Sequence, residues 1–162
     1  MPKLFIMFGN IGSGKTTFVK NFVRGHPEIV CVSRDSLRYM IGAGEYIFSP
    51  ELESVIFDSE NYTIQELMKK GCDIIVDEVD ICKKYRESYI KLAKKFNYAI
   101  CVIVLPFLDK KTSVERRMKN NHGSTSSKIW AEVWDKFYTL MEEPTIYEGF
   151  DEIISSETIK WD

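Results

Sequence analysis

The chain alternates between short, wholly apolar runs and longer stretches in which apolar residues recur every three or four positions. Leu4-Phe5-Ile6-Met7-Phe8 is a continuous apolar run stopped by Gly9, as expected of a strand buried on both faces of a parallel sheet. From Gly14 the period becomes helical, with Phe18, Phe22 and Val23 on one stripe, until Gly25-His26-Pro27 ends it. Ile29 to Val32 reads as a second strand, and Cys72 to Asp77 as a third that ends in a carboxylate. Helices are predicted from about Pro50 to Lys70 and from Lys83 to Phe96, the latter turning Tyr85, Tyr89, Leu92, Ala93 and Phe96 toward a sheet. Ala99 to Leu105 is the fourth and most apolar strand, closed by Pro106. A helix near Ile129 to Glu142 and a short strand near Glu152 to Ile154 complete the pattern.

Arg34-Asp35-Ser36-Leu37-Arg38-Tyr39-Met40 leads into the glycine-bearing loop Gly42-Ala43-Gly44. Residues 109–128 are rich in Lys, Arg, Asn and Ser around the soft stretch His122-Gly123-Ser124-Thr125-Ser126-Ser127, the composition of a lid. Strands alternating with helices at this spacing predict an α/β fold class, a parallel sheet of about five strands with helices on both faces.

A length of 162 residues fits one domain over 1–162, and neither a linker nor an internal repeat divides it. Apolar content of 44% and charged content of 28% are those of a soluble globular protein, and no run approaches the roughly 18 apolar residues of a membrane span. The N-terminal apolar stretch runs into a glycine loop instead of a cleavage site, so a soluble, cytoplasmic location is expected. Cys31, Cys72, Cys82 and Cys101 form no C-x-x-C pair and read as buried thiols rather than as a disulfide or zinc site. A net charge of −2 argues against coating a duplex but leaves room for a local basic grip on one strand end.

The strongest chemical signal is Gly9-Asn10-Ile11-Gly12-Ser13-Gly14-Lys15-Thr16, which fits G-x-x-x-x-G-K-[ST] between a predicted strand and a predicted helix. In such a loop the backbone N–H groups converge on phosphate oxygens, and the helix that follows adds its positive end. Residues 9–17, Thr17 included, are therefore the expected nucleotide-binding set, with Lys15 reaching the β- and γ-phosphates and the Thr16 hydroxyl ligating Mg²⁺. Asp77 at the end of the third strand is placed like the second Mg²⁺ holder. Otherwise it is a loop aspartate and Glu78 or Asp80 takes the role. ATP and Mg²⁺ are the expected cofactors.

Segments after parallel strands line the ligand crevice, so Ser33 to Arg38 should face the phosphates from the acceptor side. Asp35 is a candidate base for an attacking hydroxyl, and Arg38, one helical turn on, a candidate grip on an anionic acceptor, with Arg34 beside it. The alternative has Asp35 as a helix N-cap and the arginines as solvated charges.

The loop 9–16, the Arg34-Asp35-x-x-Arg38 segment and the Ile74-Ile75-Val76-Asp77 strand end together resemble the kinase module of phage-type polynucleotide 5′-kinase, within the small P-loop kinases. The resemblance runs in order through the whole chain and is specific at these three places. It implies the sheet order of nucleoside-monophosphate-kinase-like proteins, ATP as donor, and a place in nucleic acid repair. It also implies Asp35 as general base toward a 5′-hydroxyl and Arg38 as holder of the terminal nucleotide's 3′-phosphate. One departure stands out. The family's lid carries R-x-x-x-R, whereas Arg116 and Arg117 are followed at that offset by Asn120 and Asn121. The phosphate clamp then falls to Arg116, Arg117, Lys119 or Lys128, unless this basic stretch is a solvated helix face.

The expected partners are thus ATP and the 5′-hydroxyl of a DNA or RNA end, with no membrane. A small-molecule kinase is the first rival, favoured by the acidic balance. A nucleotide-dependent switch or binding module is the second, and the absence of an [NT]-K-x-D segment from the sequence counts against it.

Overall fold

A computed structural model of the chain describes residues 1–123 and 125–159; Ser124 of the lid stretch and the last three positions of the expected domain lie outside them. The elements run β1 (Lys3–Phe8), α1 (Lys15–Gly25), β2 (Ile29–Val32), α2 (Arg34–Ile41), α3 (Glu53–Lys69), β3 (Asp73–Val76), α4 (Lys83–Phe96), β4 (Ala99–Val104), α5 (Lys110–Lys119), α6 (Ser127–Leu140) and β5 (Glu152–Ser155). Short 3₁₀ turns cover Ile146–Glu148 and Ser156–Thr158. All strand pairings are parallel, in the order β2-β3-β1-β4-β5. This is the expected α/β fold, with the expected strand order.

β1 lies at the centre and feeds both layers by alternation. Leu4, Ile6 and Phe8 point into a core with Ile64 and Met68 of α3 and Tyr89, Ile90 and Ala93 of α4. Phe5 and Met7 point the other way, onto Phe18, Val19 and Phe22 of α1. A period of two on a strand buried on both sides thus requires an uninterrupted apolar run. The register matches Phe8 with Val104 and, through β3, Val76 with Val32. The strands therefore end together, and Gly9, Ser33, Asp77 and Leu105 emerge along one edge, the ligand edge of a parallel sheet.

Four expectations need correction. Residues 34–41 form helix α2, and none of its residues is fully buried. Its N-cap is Ser33, whose Oγ accepts a 3.4 Å bond from the Ser36 N–H, so the N-cap reading of Asp35 is replaced. The third helix begins at Glu53, not Pro50, because residues 49–52 close a turn in which the Leu52 N–H donates to the Ser49 carbonyl at 2.9 Å. The buried face of α4 is Arg86, Tyr89, Ile90 and Ala93, with Tyr85 at its exposed margin. The cysteines differ too. All four are free, as expected, but Cys31 is exposed and Cys72 half-buried, and only Cys82 and Cys101 are buried.

Arg86 escaped the apolar pattern because a buried cation reads as a polar position. It is 0% exposed, with Nε and Nη2 each donating to the Glu148 carboxylate at 2.8 Å and Nη1 to the Asp80 carbonyl at 3.0 Å. The pair ties the turn before β5 to α4 beneath the site. Removing one partner leaves the other charge buried alone, so Arg86→Ala is expected to cost about 3 to 5 kcal/mol. Denaturant unfolding of the two proteins measures it. Among the described residues, no helix is long and apolar enough to cross a membrane.

Candidate active site

The loop 9–16 curls between β1 and α1 through two left-handed glycines, Gly12 at φ 67° and Gly14 at φ 99°. At Gly12 a Cβ would also lie 2.2 Å from the Ser113 carbonyl oxygen of α5, so glycine is required twice over. The lid helix therefore rests directly on the loop. α6 touches it too, since Asn10 Nδ2 donates to the Trp134 carbonyl at 3.1 Å while Asn10 Oδ1 accepts from the Ile11 N–H at 2.7 Å.

Lys15 is folded onto this loop. Its Nζ donates to the carbonyls of Gly9 at 2.9 Å and Asn10 at 2.8 Å, and the residue is buried. Burial lowers its ammonium to about 8; Asp77 opposes this and Arg117 adds to it. Thr16 and Thr17 are exposed at the open N-terminus of α1, where backbone N–H groups lack intrahelical acceptors.

Asp77 follows β3 directly, held by its N–H on the Val32 carbonyl at 3.0 Å, and its carboxylate accepts from the Thr16 side chain. Burial raises its pKa against that bond and the charge of Lys15. Its two alternates sit in other settings. Glu78 takes the Arg34 guanidinium at 2.8 Å and the Arg34 N–H at 2.6 Å, and Asp80 is 1% exposed with neither carboxylate oxygen hydrogen-bonded among the described residues. Among the described residues no three His, Cys, Asp or Glu side chains cluster as a metal cage. The Thr16 and Asp77 oxygens nonetheless suit Mg²⁺, a hard cation that keeps waters and draws further ligands from phosphates.

Across from Lys15 and Asp77, on the β2 side, Asp35 projects from the first turn of α2 with a side chain 40% exposed. Its Oδ1 accepts from Arg38 Nη1 at 2.7 Å and from the Tyr46 hydroxyl at 3.0 Å, and its Oδ2 lies 3.1 Å from His122 Nε2. Burial works against the charge, but His122, Tyr46 and Arg38 outweigh it and hold the carboxyl well below the usual range. Arg38 is shared. Its Nε and Nη2 fork onto Glu53 at 3.0 and 2.6 Å, and the rings of Phe48 and Tyr46 flank its guanidinium at 5.7 and 6.0 Å. Arg34 turns below the edge to Glu78 and, at 3.5 Å, to the buried Glu60.

The four basic lid candidates separate by placement. Arg116, Lys119 and Lys128 lie on exposed faces. Arg117 is half-buried, with its guanidinium 4.4 Å from the Trp130 ring centroid and in the field of Asp35, Tyr46, Tyr39 and Asp77. Its buried Nε has no hydrogen-bond partner among the described residues, and burial lowers its pKa. Tyr39, Tyr46, Glu53 and His122 join the site without any sequence signal, since no local period links Tyr39 to His122, 83 positions on. On the β4–β5 side of the loop, a cavity of about 500 Å³ is walled by Gly9, Ser13, Leu105, Phe107, Tyr138 and Glu157.

A family model described as an AAA domain matches residues 4–144. No curated protein sequence matches the chain. Among solved structures, a chain of the Pnkp1/Rnl/Hen1 RNA repair complex superposes with a TM-score of 0.70 at 22% identity, over 86% of this chain and 45% of that one. A fungal RNA kinase gives 0.68 at 15% identity, over 95% and 74%. The Mycobacterium tuberculosis APS kinase CysC, solved with AMPPNP and APS, gives 0.62 at 15% identity, over 95% and 88%. At these identities the likeness is one of fold, the nucleotide-binding fold of P-loop kinases. The chain spans less than half the length of the chain it matches in the RNA repair complex.

Proposed function

Because the chain belongs to the AAA-domain family, we propose that it is an ATP-dependent kinase that moves the γ-phosphate to the 5′-hydroxyl of a nucleic-acid end. The observation that carries this is Asp35 with Arg38 one turn on, at the β2 end of the sheet edge beside the β3 and β1 ends that carry Asp77, Lys15 and Thr16. Donor and acceptor then approach from two sides. The nucleotide base fits the cavity on the β4–β5 side, and the acceptor lies over α2.

Each residue has a task in an in-line displacement. The backbone of 9–17 cradles the donor phosphates at the positive end of α1. Lys15 exchanges the Gly9 and Asn10 carbonyls for the β- and γ-phosphates. Thr16 and Asp77 would hold Mg²⁺, which when bound neutralises charge on those phosphates. Asp35 takes the proton of the attacking hydroxyl, and Arg117, with its unpartnered Nε, meets the oxygens of the transferring group. Arg38 releases Glu53 to take the acceptor's 3′-phosphate in the same bidentate geometry. Arg34 supports α2 from below through Glu78, and Arg116 contributes charge from the exposed face of α5.

A small-molecule acceptor is the second reading. The net charge of −2 favours it, as does Glu53, which already neutralises Arg38. Arg38→Ala separates the two. With a 3′-phosphorylated 5′-hydroxyl nucleotide, the acceptor Michaelis constant is expected to rise about 10-fold or more, while that for ATP stays put. A weakened ATP constant would move Arg38 to the donor side, and an unmoved acceptor constant would remove the 3′-phosphate from the reading.

A further inference from the structure

The carboxylate on the acceptor side is held by more than its own helix. His122, in the connection between α5 and α6, reaches across so that its imidazole stacks on the Tyr46 ring, with centroids 4.5 Å apart and planes 9° from parallel. Tyr39 meets the same ring edge-on at 5.6 Å. The imidazole has a partner at each nitrogen, Asp35 Oδ2 at 3.1 Å from Nε2 and the Tyr39 hydroxyl at 2.8 Å from Nδ1. These partners fix the tautomer. An ionised carboxylate only accepts, so Nε2 carries a proton, and in the neutral ring Nδ1 then accepts from Tyr39.

A carboxylate offers about four lone-pair sites. Arg38 and Tyr46 occupy the two of Oδ1, and His122 one of Oδ2. Among the described residues nothing else bonds Oδ2, which keeps one lone pair, and the tethers on both oxygens hold the carboxylate plane. We propose that His122 is a positioning residue for the acceptor-side base, one that holds Asp35 so that its single free lone pair is offered to the attacking hydroxyl. The inference rests on the reading of Asp35 as that base. It gives the α5–α6 connection a part in the chemistry of the opposite side of the cleft, besides the arginine that α5 supplies.

A role in packing alone would leave the pH profile unmoved, whereas this one ties it to His122. The other groups that face the pair are Arg38 and Tyr39 from α2, Tyr46 from the loop after it, Arg117 from α5, and Asp77 and Glu78 from the end of β3. All of them stay in place in a His122 variant. Donation from His122 favours the ionised carboxylate, so its loss raises the pKa of Asp35 and moves the acid limb of turnover to higher pH.

The test combines two measurements. Turnover is followed against pH at saturating ATP and acceptor for the native protein, His122→Ala and His122→Gln. The ring nitrogens of His122 are followed by ¹⁵N NMR at one fixed pH in the native protein and in Asp35→Asn, the chain's other histidine, His26, serving as the internal reference. His122→Ala is expected to lose about 10- to 100-fold in turnover, with the acid limb up by about one pH unit and the ATP constant unchanged. His122→Gln, whose amide can donate to Oδ2 and accept from Tyr39, should recover most of that loss. Asp35→Asn should move the Nε2 signal of His122, because it replaces the charged acceptor that this nitrogen faces. Native turnover and an unmoved acid limb in His122→Ala would overturn the proposal. So would an unmoved Nε2 signal of His122 in Asp35→Asn, and in an active kinase that result would leave the function standing. A moved signal in a protein that phosphorylates no hydroxyl would instead remove Asp35 as a base, and this role with it.

Discussion

Asp35→Asn is expected to lower turnover by about 10² to 10⁴ at saturating acceptor, with ATP affinity retained. The amide keeps the side chain's shape and an oxygen to accept from Arg38 or Tyr46, but it cannot take a hydroxyl proton. α2 keeps its start, because the N-cap bond belongs to Ser33. What stability the substitution loses has a definite pH signature. The folded-state pKa of Asp35 is depressed, so its contribution is present above the unfolded value, near 4, and is lost as pH falls below it. Melting temperatures of the native protein and the variant should therefore differ modestly at neutral pH and converge on acidification. Retained turnover with a lowered melting temperature at all pH values would make Asp35 a structural residue.

Lys15→Ala is expected to cut turnover by roughly 10² or more, since no other lysine lies in the loop to replace its charge-assisted bonds to the donor phosphates. The free protein adds a second readout. Burial lowers Lys15 to about 8, so above that pH the side chain is largely neutral until phosphates arrive. ATP binding near pH 9 should then take up a proton, visible as a calorimetric enthalpy that varies with the ionisation heat of the buffer. Lys15→Met should abolish that variation. The same depression sets a stability window: between about 8 and the unfolded value near 10.5 the unfolded chain binds the extra proton, so stability rises with pH there. A buffer-independent enthalpy in the native protein would mean that Lys15 is already charged.

The phosphate loop was legible because all of its requirements are local: an apolar run, glycines at positive φ, and a lysine and hydroxyl opening a helix. Asp77 was legible for a related reason, since a residue that ends a buried parallel strand has to emerge at the ligand edge. The start of α2 was not, because Ser33 and Asp35 are both good cap residues and only the fold puts the Ser33 Oγ on the Ser36 N–H. Arg38 carried the right chemistry for an anion, but its fork onto Glu53, 15 positions on, depends on how α3 packs against α2. Among the lid cations, sequence could name four candidates but not the one facing inward. That choice is made by Trp130, on the next helix, which gives the Arg117 guanidinium an aromatic face to lie on. His122 belongs to the same class of long-range contact, invisible until the chain brings the α5–α6 connection back to α2.

The central claim is tested most directly by offering ATP labelled at the γ-phosphate with three acceptors at equal concentration: a 5′-hydroxyl oligonucleotide, the same strand already 5′-phosphorylated, and a mixture of nucleosides and sugars. The account predicts label at the 5′ end of the first strand, none on the second, and little on the small molecules. Label confined to a small molecule, with both oligonucleotides blank, would contradict it.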